Sequence, residues 1–136
     1  MTRKQKTRLV LLVVNVPPTE SLAAHIVADH QTDHLLLVAP VLLGKLRFWT
    51  SDVDWARKEA NERLARWVDA LAAAGAAARV YVGADDPLQV IEDAVAITPC
   101  DEVVVTVPTS DHWQVRDLTR RLRERVGIPV DELRAA

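Results

Sequence analysis

Two histidines and two aspartates lie close together in the chain, in the order Asp29, His30, Asp33 and His34. Imidazole nitrogens and carboxylate oxygens are ligands that zinc and related metal ions accept. These four residues, however, straddle the end of a predicted helix and the start of a predicted strand, instead of lying one helical turn apart. The pattern therefore predicts a solvated turn and no metal site.

Hydroxyl groups that could act as nucleophiles are present at Ser21, Ser51 and Ser110. A serine nucleophile needs an adjacent base, and many serine hydrolases hold it on a sharp strand-to-helix turn. No such turn pattern surrounds any of the three, and only Ser110 has a histidine close by, His112. The sequence thus contains no recognisable catalytic set. We expect a protein that is not an enzyme, with a small hydrolase as the weakest alternative.

The composition is that of an ordinary globular domain. The 136 residues are 49% hydrophobic and 26% charged, with a net charge of −2. A chain of this length buries about two-thirds of its unfolded surface, so we expect one domain over residues 1–136, with residues 1–7 as a flexible basic tail. The weak negative charge does not favour nucleic acid or a membrane as a partner. Cys100 is the only cysteine, which favours a reducing compartment and therefore the cytoplasm.

The elements that must position any functional residue begin with the stretch 9–16. It is apolar at every residue from Leu9 to Val14. A strand with one wet face would alternate, so this run predicts a parallel strand that is covered on both sides. Further apolar runs and helix-start patterns alternate along the chain. The predicted strands are 9–16, 34–39, 79–82, 101–107 and 128–133, and the helices between them begin near residues 19, 51, 86 and 111.

This alternation of strands and helices with short connections predicts an α/β fold. Right-handed crossovers then give a five-stranded parallel sheet with helices on both faces. Helical spacing of apolar residues places Trp67 in the core of the long second helix. The last helix carries five arginines, and Arg120 can pair with Glu124 one turn later. A solvated helix face explains these arginines better than a polyanion-binding face, because the whole protein is acidic.

Four short motifs resemble those of universal stress proteins. They are Val80-x-x-Gly83-x-x-x-Pro87, the apolar Ile91, Asp101-x-Val-Val-Val105 and Gly127-Ile-Pro129-Val130. The resemblance implies a three-layer, Rossmann-like fold of the adenine nucleotide alpha hydrolase type, with strand order 3-2-1-4-5. It also implies a ligand crevice between the carboxyl ends of the first and fourth strands, where the order of the strands reverses.

The residues that would bind a nucleotide differ from the pattern of the ATP-binding members of that family. Those members have Gly-x-x-Gly after the fourth strand and a Gly-Ser or Gly-Thr pair nine residues later, because glycine lets backbone amides approach phosphates. Here the segment 106–113 contains no glycine, and Arg116-Asp117 stand where the second pair is expected. Asn15 replaces an aspartate that is usual after the first strand.

Two interpretations follow from these differences. In the first, ATP binding has been lost, Asp111 caps the last helix, and Arg116 pairs with Asp117 or Asp111. In the second, ATP or AMP with Mg²⁺, or another small anion, still binds through side chains. The candidate ligand-binding residues are Asn15, Thr106, Thr109, Ser110 and Arg116. Because Pro108 removes a backbone donor and side chains fill the space of the glycines, the sequence favours loss.

The resemblance also bears on partners. Many universal stress proteins form homodimers through their last strand, which here reads Val130-Asp131-Glu132-Leu133. An antiparallel self-pair would bring acidic side chains close to their own copies, which argues against a homodimer of this kind. We therefore expect a non-catalytic, stress-related module that binds a protein partner or a small anionic ligand. A nucleotide- or anion-binding stress regulator is the alternative.

Overall fold

The computed structural model describes residues 9–30, 32, 34–39, 52–81, 87–108 and 113–134. Within this part of the chain, strands and helices alternate, and five strands form one parallel sheet in the order β3-β2-β1-β4-β5. The strands are β1 (Leu9–Val13), β2 (His34–Val38), β3 (Ala77–Val80), β4 (Glu102–Val107) and β5 (Val130–Arg134), and the helices are α1 (Glu20–Asp29), α2 (Asp52–Ala73), α3 (Pro87–Ile97) and α4 (Trp113–Arg125). The predicted fold class and strand order are confirmed.

The central strand β1 is covered on both faces, as its unbroken apolar sequence predicts. Every residue from Val10 to Val14 is fully buried. Because side chains alternate along a strand, Val10 and Leu12 pack with α1 and α2, whereas Leu11 and Val13 pack with α3 and α4. The two apolar cores of the three-layer fold therefore lie on opposite faces of this strand, as they do of β2 and β4.

Helix α2 is tied to the end of β1 by a tryptophan. Trp67 is fully buried, as its helical spacing predicts, and its indole Nε1 donates a hydrogen bond of 2.8 Å to the Val16 carbonyl oxygen. Helix α1 begins next to residue 19, as predicted, and Thr19 caps it, since the Thr19 hydroxyl accepts a hydrogen bond from the Leu22 amide. Both connections fix the chain where it leaves β1.

Three strands begin at residues other than those predicted, β4 by a single residue, at Glu102 instead of 101. Strand β3 starts at Ala77, not at residue 79, because the turn at Gly75 (φ 95°) is short and the alanines already pair with β2. Poor strand formers such as alanine gave no signal there, but pairing to a neighbour overrides propensity. Strand β5 spans Val130–Arg134, not 128–133, because Pro129 has no amide hydrogen for the ladder.

Several sequence predictions lie outside the described residues. They concern the tail 1–7, the helix cap predicted at Asp111 and the candidate ligand-binding residues Thr109 and Ser110. Within the described ranges, no helix combines the length and apolar character needed to cross a membrane.

Removing the indole donor should weaken the junction between α2 and β1. We expect Trp67→Phe to lower the free energy of unfolding by about 1–3 kcal/mol, because the Val16 carbonyl loses its donor in a buried site and a small cavity forms. Urea denaturation followed by circular dichroism measures this. Ile97→Ala is the control: Ile97 is 67% exposed, so its change should stay within about 0.5 kcal/mol. Equal effects of the two substitutions would contradict the assignment.

The thiol of Cys100 should react slowly in the folded protein. Burial, with a smaller contribution from the charge of Asp101, raises the pKa of Cys100 from 9.0 to about 11. Below pH 9 the thiolate fraction, and with it the rate of disulfide-reagent labelling, should fall about 100-fold relative to a solvent-exposed thiol. Since Cys100 is the only cysteine, the chain unfolded in guanidinium is the matched control. Rapid labelling of the folded chain at pH 8 would show that the thiol is accessible.

Candidate functional site

The candidate site lies where β1 and β4 end, at the carboxyl edge of the sheet. The two strands are neighbours with Val13 paired to Val105, so Asn15 and Thr106 meet just beyond the last paired residues. The Asn15 backbone amide donates to the Thr106 hydroxyl at 2.8 Å, and the Asn15 side-chain Nδ2 donates to the Thr106 carbonyl oxygen at 3.0 Å. Two of the predicted site residues are thus brought into direct contact with each other.

The Thr106 hydroxyl is also bonded to β1 itself. It donates to the Val13 carbonyl oxygen at 2.9 Å while it accepts from Asn15, and Thr106 is fully buried. A threonine hydroxyl has one hydrogen to donate. That hydrogen is already committed to the backbone of β1, so in this arrangement Thr106 has no donor for a ligand.

The other three predicted site residues are placed differently. Arg116 lies on an exposed position of α4, next to the buried Val115, and takes part in an interaction of its own. Thr109 and Ser110 lie outside the described residues. Of the five candidates, the structure therefore brings Asn15 and Thr106 together and places Arg116 on the surface of α4.

Two exposed arginines of α4, Arg120 and Arg121, form ion pairs with acidic side chains of the same helix. Asp117 contacts Arg120 through one carboxylate oxygen, at 2.5 Å, and Arg121 through the other, at 3.2 Å. The hydrogen bond to Asp117, together with the charges of Asp117 and Glu124, raises the pKa of Arg120. The predicted pair of Arg120 with Glu124 is present at 3.5 Å. These contacts are those of an exposed, internally paired helix face.

The same helix is joined to its neighbours by two further arginines. Arg125 pairs with Glu92 of α3 at 3.1 Å, and Arg123 donates to the Val130 carbonyl oxygen at the start of β5. These two arginines thus join α4 to α3 and to β5, so their positive charge helps to hold the domain together.

At the opposite, amino edge of the sheet, one sequence expectation is wrong. His30 does not lie in a solvated turn: its side chain is 9% exposed, and its Nδ1 lies 2.5 Å from Glu102 Oε2. His34 is exposed, as expected. Glu102 could not be recognised from the sequence as a partner of His30, because 72 residues separate the two. The available signal was the presence of an acidic residue at the start of an otherwise apolar strand.

Two cavities lie near the sheet edges. One, of about 280 Å³, is at the carboxyl edge beside the start of α1, and it is lined by Thr19, Ser21, Leu22, His25, Leu133 and Arg134. The other, of about 410 Å³, is at the amino edge, and it is lined by Leu9, His34, Leu35, Leu36, Ala77, Arg79 and Thr98. Of the predicted site residues that the structure describes, Asn15, Thr106 and Arg116 line neither of these two cavities.

Comparison with known proteins gives matches at the level of structure alone. No family model matches the chain, and no curated protein matches it significantly. A crystal structure of a universal stress protein family protein from Burkholderia pseudomallei superposes with a TM-score of 0.63 at 19% identity, over 94% of this chain and 96% of that one. A universal stress protein family protein from Arabidopsis thaliana with AMP bound superposes with a TM-score of 0.61 at 17% identity, over 96% of this chain and 93% of that one.

Both solved structures are matched over nearly their whole length, so the likeness covers the complete sheet and both helix layers. The fold implied by the sequence motifs is therefore confirmed. The chain has the fold of the universal stress proteins.

Proposed function

We propose that the chain is a non-catalytic, universal-stress-protein-like binding module whose crevice has lost the ATP site of that family. The observation that carries the proposal is the mutual hydrogen bonding of Asn15 and Thr106 at the carboxyl ends of β1 and β4. This is the place where a fold of this kind binds its ligand. Here the polar groups are used to hold the two strands together.

Hydrogen-bond accounting supports the loss of the nucleotide site. A ligand that used the Thr106 hydroxyl as a donor would have to displace the Val13 carbonyl oxygen, which accepts from it in a fully buried position. A ligand that used the Asn15 side-chain amide, Nδ2, as a donor would have to displace the Thr106 carbonyl oxygen. Each exchange gives up a hydrogen bond that the protein already makes, and such a bond contributes about 0.5–1.5 kcal/mol.

The sequence around the crevice supports the same conclusion. Phosphate loops rely on glycines, whose backbone amides approach the phosphates closely. The segment 106–113 contains no glycine, and Pro108 contributes no amide hydrogen. A bound phosphate would therefore have to be held by side chains in place of the glycine amides.

The chemistry of the same residues supports a non-catalytic role. Asn15 and Thr106 carry no group that exchanges a proton near neutral pH. General acid or base catalysis at this position would need such a group within hydrogen-bond reach of a substrate. We infer that the module acts by binding a protein partner, and that it does so in the cytoplasm.

A second candidate function is a nucleotide- or anion-binding stress regulator. One observation favours it: a solved structure with the same fold is the Arabidopsis protein with AMP bound. In this chain the anion would be held by Arg116 together with Thr109 and Ser110, and Mg²⁺ would accompany ATP. Arg116 lies on an exposed position of α4, where a guanidinium can reach an incoming phosphate.

Thermal melting separates the two functions. If the ATP site has been lost, millimolar ATP or AMP with Mg²⁺ should leave the melting temperature unchanged. A ligand present at 100 times its dissociation constant would instead add about 2.7 kcal/mol of stability. A clear upward shift would overturn the first function. If that shift disappears in Arg116→Ala but persists in Arg121→Ala, whose side chain pairs with Asp117, the second function is supported.

The bonds of Thr106 should matter more for stability than those of an equally buried threonine elsewhere. Thr106→Val leaves the Asn15 backbone amide without its acceptor, the threonine hydroxyl. We therefore expect a loss of about 1–3 kcal/mol in the free energy of unfolding. Thr119 is the matched control, because it is 1% exposed and its hydroxyl donates only within its own helix, to the Val115 carbonyl. Thr119→Val should cost less than about 1 kcal/mol. Similar losses in urea denaturation would contradict the role given to Thr106.

A further inference from the structure

Three potential metal ligands from different elements converge at the amino edge of the sheet. They are His30, which follows the last residue of α1, Glu102, the first residue of β4, and Asp131, the second residue of β5. Each offers a nitrogen or oxygen atom, and the three atoms lie within 4.8 Å of one another. No loop is needed to assemble the cluster, because each ligand sits on or directly beside a regular element.

The alternation of the strands explains why these side chains share one face. Val104 packs in the core formed with α1 and α2, so Glu102, two residues earlier, points to the same face of the sheet. In the β4–β5 register, Val104 is the partner of Asp131. Both carboxylates therefore point toward the layer that contains the end of α1, where His30 lies.

We propose that His30, Glu102 and Asp131 bind a divalent transition-metal ion of the zinc class. Imidazole nitrogen combined with carboxylate oxygen suits zinc, cobalt and related ions. The side chains of His30 and Glu102 are 9% and 10% exposed, whereas Asp131 is exposed. Three protein ligands with one open side match the arrangement in which water or a substrate completes the coordination of zinc.

His30 has carboxylates near both of its ring nitrogens. Its Nδ1 faces the cluster, and its other ring nitrogen, Nε2, lies 3.7 Å from the Asp29 carboxylate. That distance is too long for a hydrogen bond, but the Asp29 charge adds to the negative potential around the ring, which favours a cation. Asp29 is adjacent to His30 in the chain, so the helix end itself supplies this charge.

The charge of the cluster points in the same direction. Asp131 brings a second carboxylate close to a histidine that already contacts Glu102. Two carboxylates in such proximity repel each other, more strongly where burial lowers the local dielectric constant. A divalent cation between them removes this repulsion. The site is independent of the proposed function, because the crevice of Asn15 and Thr106 lies at the opposite edge of the sheet.

Calorimetric titration of the full chain, first freed of metal with a chelator, tests the proposal. We expect Zn²⁺ to bind with a stoichiometry of one, and Co²⁺ to give the visible absorption of a site with few ligands. Asp131→Asn, a change at an exposed position, should weaken Zn²⁺ binding about tenfold or more. Glu132→Gln is the matched control, since Glu132 is the next residue of β5 and points to the other face of the sheet. Its affinity should equal that of the unmodified chain.

A second variant, Glu102→Gln, tests the buried carboxylate of the proposed site. Glu102→Gln keeps a side chain that can hydrogen-bond to His30 and removes the charge, so it should also weaken Zn²⁺ binding at least tenfold, provided that circular dichroism shows a folded chain. If it does not fold, Asp131→Asn decides alone. The proposal is overturned if the titration shows no single Zn²⁺ site with a dissociation constant below about 0.1 mM. It is also overturned if Asp131→Asn leaves Zn²⁺ binding unchanged. His30 and Glu102 would then form a structural ion pair only.

Discussion

Strand β1 is enclosed by a strand on each edge and a helix layer on each face, and the rest of the domain is built around that enclosure. Its backbone pairs with β2 and β4, while its side chains from Val10 to Val13 are fully buried. A strand buried in this way cannot face water on either side, so helices must cover both faces. The reversal of strand order then falls next to β1, which places any ligand crevice beside its carboxyl end.

Side-chain hydrogen bonds join β1 to β4 at both ends of the two strands. At the amino end, the Asp101 carboxylate accepts from the Leu9 amide at 2.7 Å, and the Leu9 carbonyl accepts from the Asp101 amide. At the carboxyl end, Asn15 and Thr106 do the equivalent. Polar residues at the ends of buried strands must satisfy backbone groups that have no further ladder partner. In this chain the requirement is met at both ends of the boundary between β1 and β4, so the polar groups at the carboxyl ends serve to join the two strands.

The parts of the fold that depend on local pattern could be predicted from the sequence, whereas those that depend on distant pairs could not. The unbroken apolar run predicts β1, and helical spacing predicts the burial of Trp67. The strand order came from the family resemblance. The start of β3 was missed because alanines pair there only by virtue of a neighbouring strand. The contact of Asn15 with Thr106 spans 91 residues, and no sequence period reports a pairing of that kind.

The described contacts that join β1 and β4 differ in charge between the two ends of these strands, and this difference follows from where the polar residues fall along them. At the carboxyl edge the contacts between the strands are made by neutral groups, an amide and a hydroxyl. At the amino edge Asp101 directly precedes β4 and Glu102 is its first residue, so two carboxylates lie there, and Glu102 contacts His30. Neutral groups that bond to each other stabilise strand ends but leave little for a charged ligand, whereas carboxylates beside an imidazole attract cations. Within the described residues, the ion pair beside β4, between His30 and Glu102, therefore lies at the amino edge, away from Asn15 and Thr106.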